Sequence, residues 1–253
     1  MKTLLKAILI CGVVSLANST ATAQTKLAPC SPSGGSRTAL QVRSFAGCPF
    51  SAKVEITHTR TLGDGSHIVT KANALVARDS LGRLRYESTT IKDADQDASG
   101  KLTLIEIYDP VAGSSYFILP FRNAVWRHKL DAPVPTVDQL PPHASTYDAA
   151  ISSTAADPRE KFVVEDLGSR QMLGVLATGT RGIRTIPVGL EGNDSELTVT
   201  NESWISTELG FTLLRETSDP RSNNSEMRVT SLQRSEPDPS VFQVPAGYTV
   251  VDQ

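Results

Sequence analysis

The sequence predicts a mainly β protein, a single curled antiparallel sheet forming a half-open barrel of about eleven strands with one or two short helices. Three observations predict it. From residue 51 onward, short runs rich in Val, Ile, Thr and Tyr alternate with Gly, Asp, Asn and Pro, the rhythm of strands and turns. Helical periodicity is scarce, confined to residues near 37–46 and 147–155. Gly168, Gly174, Gly179 and Gly182 fall inside strand patterns, where glycine marks bulges and bends that let a sheet curl.

Residues 1–23 read as a secretory signal peptide. Lys2 and Lys6 flank an apolar run from Ala7 to Ala17, and Ala21-Thr22-Ala23 supplies the small residues before a cleavage after Ala23. The expected location is therefore periplasmic or secreted. Cys11 sits within the apolar run, which does not suit a lipoprotein anchor, and no later stretch reaches the roughly 18 apolar residues of a transmembrane segment. The formal net charge is −2, and the leader carries two lysines and no acid, so the mature chain is more acidic still. Nucleic acid, which needs a clustered positive field, is not an expected partner.

Segment 24–50 holds Cys30 and Cys48, the two cysteines left after cleavage. Metal and redox sites want Cys-x-x-Cys or nearby His ligands, which are missing, and an exported protein keeps disulfides. A Cys30–Cys48 bridge pinning this segment is expected, worth about 3 kcal/mol on the loop-entropy model.

Residues 51–253 form the β domain. Lys53 to Leu62 alternates, Gly63-Asp64-Gly65-Ser66 turns the chain, and His67 to Arg78 returns. Reading Asp64-Gly65 as a two-residue turn sets Gly63 against Ser66, His58 against Lys71 and His67 against Leu62. Arg83–Ile91, Leu102–Tyr108, Ser115–Leu119 and Ala124–His128 follow. Residues 130–161 hold five prolines and read as a long connection. Strands resume at Phe162–Glu165, Gln171–Ile186, Glu196–Ile205, Phe211–Thr217 and Met227–Arg234, and Phe242 and Tyr248–Val251 close the chain.

The motifs that would carry chemistry are incomplete. Asp93, Asp95 and Asp97 open like a calcium loop, but Ala98 and Leu104 stand where that loop needs Gly and Glu. His58 and His67 fall roughly 13 Å apart in the register above, too far to share a metal. His128 and His143 have no Glu or Cys at ligand spacing. Gly-x-Ser-x-Gly, His-Glu-x-x-His, phosphate-binding and dinucleotide motifs do not occur. The reading is of a protein that is not an enzyme, with no cofactor, catalytic residue or metal.

The closing segment Ser235-Glu236-Pro237-Asp238-Pro239-Ser240-Val241-Phe242-Gln243-Val244-Pro245-Ala246-Gly247-Tyr248 resembles that of many exported bacterial proteins. Ile107-Tyr108-Asp109-Pro110-Val111-Ala112-Gly113 and Gly179-Thr180-Arg181 leading to Thr185-Ile186-Pro187 resemble the same group. The ending is similar to that of the lipoprotein-localisation-factor superfamily, the LolA, LolB and RseB-like half-barrels. That resemblance implies an open sheet wrapped around helices, with an apolar cavity for acyl chains.

The expected function is an envelope binding protein holding a lipid-like or other apolar ligand in the concave face of its sheet. Alternation assigns Val54, Ile56, Val69, Leu75, Leu84 and Tyr86 to that face. The alternatives are an envelope protein-protein interaction module and, third, a secreted hydrolase.

Overall fold

The computed structural model describes residues 42, 44–91, 101–130, 157–221 and 224–252. The signal peptide, Cys30, the expected helix near 147–155, the acidic loop at 93–100 and most of the proline-rich connection lie outside the described residues; of the helix expected near 37–46, residues 42 and 44–46 are described and are not helical.

The described residues form one curled, unclosed sheet of twelve strands. In chain order they are β1 Phe50–Thr61, β2 His67–Arg78, β3 Leu84–Ile91, β4 Lys101–Asp109, β5 Ser114–Leu119 and β6 Ala124–Lys129. After the connection come β7 Lys161–Met172, β8 Val175–Ile186, β9 Leu197–Ser206, β10 Phe211–Ser218, β11 Asn224–Gln233 and β12 Thr249–Asp252. The spatial order is β12-β6-β5-β4-β3-β2-β1-β11-β10-β9-β8-β7. Two meanders, β1–β6 and β7–β11, thus join side by side through β1 and β11, the long-range pairing that makes one sheet from two. The sheet is antiparallel except at one edge, where β12 runs parallel to β6. Helical structure among the described residues consists of two 3-10 turns, Pro120–Arg122 and Pro239–Phe242.

The sequence reading of Gln171–Ile186 as a single strand is corrected. Leu173 (φ 50°) and Gly174 (φ 79°) form a two-residue turn between Met172 and Val175. Both residues take the left-handed conformation that such a turn demands. Gly168 (φ 73°) does mark a bulge, where the β7–β8 register shifts.

The main core lies on the face of β1 that carries Phe50, Ala52 and Val54. It gathers Ala74 and Val76 of β2, Leu84 and Tyr86 of β3, and Met227 and Val229 of β11. Val42, Phe45 and Cys48, from the segment preceding β1, join the same cluster. That segment is docked on the β2–β3 turn: Gly47 N–H donates to the Ser80 carbonyl at 2.9 Å and Ser44 Oγ to that of Gly82 at 2.7 Å. A smaller core, Ile105, Ile107, Ile118 and Val125, lies on the opposite face of β4–β6. There Val244 and Tyr248 of the closing segment pack over it.

Candidate functional site

The β1–β2 turn decides which side chains share a face. Gly65 N–H donates to the Leu62 carbonyl and Leu62 N–H to that of Ser66, so the loop has three residues, Gly63, Asp64 and Gly65. Gly65 (φ 81°) takes the left-handed position of this longer loop. Asp64 braces it by accepting from both the backbone N–H (2.9 Å) and the hydroxyl (2.6 Å) of Ser66. Thr61 therefore pairs with His67, His58 with Thr70 rather than Lys71, and Lys53 with Leu75.

That one-residue slip divides the six residues assigned to a ligand face. Val54, Ile56, Leu84 and Tyr86 share the core face, with Val54, Leu84 and Tyr86 buried. Val69 and Leu75 lie on the other face, 52% and 50% exposed. The slip also puts His58 and His67 on opposite faces, and His67 Nδ1 lies 3.1 Å from Thr61 Oγ1. No cluster of three or more His, Cys, Asp or Glu side chains suited to a metal occurs among the described residues.

The face holding Leu75 is hollowed. A 430 Å³ hollow is lined by Ser51, Lys53, Leu75, Ala77, Arg85 and Val241, among others. A second, of 290 Å³, continues past Lys53 to Glu55, Asn73, Thr89 and Thr230. A third, of 710 Å³, takes in Thr57 and Thr59 together with Arg181, Thr200, Glu202 and Glu216. Residues 51, 53, 55, 57 and 59 are successive outward positions of β1, so the three hollows succeed one another along this strand over roughly 25 Å at 3.3 Å per residue and are taken together as its groove. Because β1 and β8 line the same hollow although β11, β10 and β9 separate them, the sheet curls toward this face.

The two ends of the groove differ in chemistry. At one end the closing segment forms a wall. Asp238 caps its 3-10 turn by accepting from Ser240 N–H at 2.8 Å, and Phe242 is buried under the Arg83 guanidinium. Arg85 donates to the carbonyls of Val241 (3.0 Å) and Gln243 (3.3 Å), and Glu236 accepts from Ser80 N–H. This strap covers the apolar row Ile105-Ile118-Val125 and stops short of Leu75, which stays half exposed and, with the buried Ala77, forms an apolar floor beside Val241.

At the other end a row of charges crosses the strands, Glu226-Glu216-Glu202-Arg181-Glu165, each directly opposite the next. Like charges so placed repel. Arg228 lies against Glu226 and Glu216, and Arg181 donates to Glu202 (2.7 Å) and Glu165 (3.3 Å). The Trp204 indole N–H, then Arg181, hold the Glu202 carboxyl below its ordinary pKa. This end offers carboxylates and hydroxyls, contrary to the expected greasy lining.

Sequence reasoning missed Lys53, Ala77, Arg85 and Val241. A three-residue reading of Gly63-Asp64-Gly65 was the signal that would have brought Lys53 and Leu75 to one face.

No protein-family model and no curated protein matches the sequence. In structure the chain is similar to MucB, with a TM-score of 0.40 and 13% identity over 80% of this chain and 59% of MucB; it thus spans less than two thirds of MucB's length. It is also similar to the Mycobacterium tuberculosis lipoprotein LppX (TM-score 0.30, 12% identity, 74% of this chain and 88% of LppX). A LolA superfamily protein from Nitrosomonas europaea is similar at TM-score 0.28 and 8% identity, over 79% of this chain and 92% of that one.

Proposed function

We propose that the protein is an exported, non-catalytic binding protein of the bacterial envelope, holding a lipid-like ligand in the groove along β1. The observation that supports this reading is the half-exposed Leu75, which lines a hollow of 430 Å³ together with the buried Ala77 and with Val241, a volume within the range of small-molecule sites. Apolar side chains left open in a concavity gain about 25 cal/mol per Å² when a ligand covers them. In this reading the signal peptide is removed after Ala23, and a Cys30–Cys48 bridge holds the preceding segment against the core. Mass spectrometry of organic extracts from the purified protein tests it. A bound lipid lost in L75E supports the groove, and identical extracts from both proteins would reject it.

A second reading, a protein-interaction module, is favoured by β7. This strand is an edge of the sheet and exposes Val163 and Val164, each 52% accessible. An open edge can take a further strand from a partner. Capture of an envelope protein by the wild type and not by a variant with proline at Val163 would support it.

A further inference from the structure

Most of the charges that border the groove are ion-paired; among the described residues Lys53 and Glu55 are not. Glu87 is paired with Arg85, which also reaches the strap carbonyls. Glu226 and Glu216 lie against Arg228, on which Glu55 also acts electrostatically. Lys53 is exposed and makes no ion pair among the described residues, yet it lines both the 430 and the 290 Å³ hollows. Its cross-strand neighbour is Leu75, whose next neighbour is Glu87, so about two strand spacings, roughly 10 Å, separate the ammonium's strand from that carboxylate's.

The backbone at this point is irregular. The β1–β11 register shifts between Lys53 and Val54, leaving Thr230 as an extra residue whose hydroxyl lies 3.4 Å from the Lys53 carbonyl. Bulges of this kind re-aim the side chains beside them. A cation without an ion pair thus stands at the polar margin of an apolar floor, with Glu55 two residues along the strand on the far side from Leu75 and Ala77.

We propose that Lys53 anchors the acidic group of an anionic amphiphile of the long-chain carboxylate kind, with its hydrocarbon tail on Leu75, Ala77 and Val241. This rests on the groove reading above and adds the head-group chemistry. A charge-assisted hydrogen bond at Lys53 selects the acid over a neutral head group, while the floor serves both.

Oleate and oleyl alcohol share a tail and differ in the head, so their equilibrium binding to the processed protein separates the two contributions. The wild type is expected to prefer oleate by about tenfold. K53Q should remove that preference and leave the alcohol unchanged, K53R should retain it, and L75E should weaken both. Circular dichroism checks that each variant is folded. If L75E loses both ligands while K53Q keeps the oleate preference, the groove stands and the anchor is overturned. If L75E binds both as well as the wild type does, the groove reading falls and the anchor with it.

Discussion

The indole of Trp204 occupies the space that a side chain at Gly179 would need. A Cβ at Gly179 would lie 2.8 Å from three atoms of the ring, and the Arg170 guanidinium stacks 3.7 Å from the ring centroid. Trp204 Nε1 also donates to Glu202 at 2.7 Å. One aromatic ring thereby links β7, β8 and β9 near the charged end of the groove. G179A should destabilise the protein by about 1–3 kcal/mol through overpacking, read as a lower urea midpoint with a shifted tryptophan emission. A midpoint equal to that of the wild type would show that the ring is free to move aside.

The two faces of the β1–β2 hairpin give a paired test. Val54 is 1% exposed in the main core, so V54D should cost more than about 3 kcal/mol by burying a carboxylate. Leu75 is half exposed in the groove, so L75D should stay within about 0.5 kcal/mol of wild-type stability while losing bound lipid. Equal losses in urea denaturation would contradict the observed register.

Leu173 holds a left-handed backbone at φ 50° between β7 and β8, a conformation that costs an L residue with a long side chain roughly 1–2 kcal/mol. L173N should raise stability by about 1 kcal/mol, since Asn tolerates that conformation and Leu173 is 44% exposed. An unchanged or lower denaturation midpoint would show that the Leu contacts offset the strain.

Much of the fold was legible because alternation is local. β2 and the starts and ends of β4, β5 and β10 fall within about one residue of the sequence reading, set by β-branched runs and by turns such as Asp109–Gly113. The Met172–Val175 turn was hidden because a leucine occupies a position where glycine, asparagine or aspartate is expected. The groove was hidden because Gly63-Asp64-Gly65 permits either a two- or a three-residue loop, and the choice inverts every side chain of β2 relative to β1. The β1–β11 pairing and the seating of Val244 and Tyr248 on Ile105 and Val125 join residues more than a hundred positions apart. No local pattern encodes either.

Acid should weaken the fold in a defined window. Arg159 holds Asp157 down to about 2, Arg184 lowers Glu160, and Arg221 lowers Asp219, all below ordinary values of 3.8 for Asp and 4.5 for Glu. With folded pKa values depressed, the native state binds fewer protons than the unfolded one in this window. These contributions are complete above about pH 4.5 and are lost as pH falls toward 2. Arg221 bridges Asp219 and Glu191, so R221A should flatten the acid limb and cost less than about 1 kcal/mol at neutral pH. Urea midpoints measured from pH 7 to 2 check both statements, and a pH-independent midpoint would refute them.

Arg78 ties three separate parts of the chain to one buried point. It is fully buried at the end of β2, and its guanidinium lies 3.7 Å from the Phe45 ring centroid and 4.9 Å from that of Phe50. Its Nη1 donates to the Leu209 carbonyl at 2.7 Å and its Nη2 to the Cys48 carbonyl at 2.9 Å. Burial draws its pKa down to about 9, leaving it charged at neutral pH. Removing the side chain leaves two carbonyls without this donor and opens a cavity, so R78A should cost about 3–5 kcal/mol. R78K keeps the charge, but its compact ammonium lacks the planar fork that reaches both carbonyls, so it should recover only part of the loss. Hydrogen exchange distinguishes this tie from a merely local defect. In R78A and R78K, residues 44–48 and 207–211 should lose protection together, because the same group holds both, and loss in one segment alone would sever the proposed link.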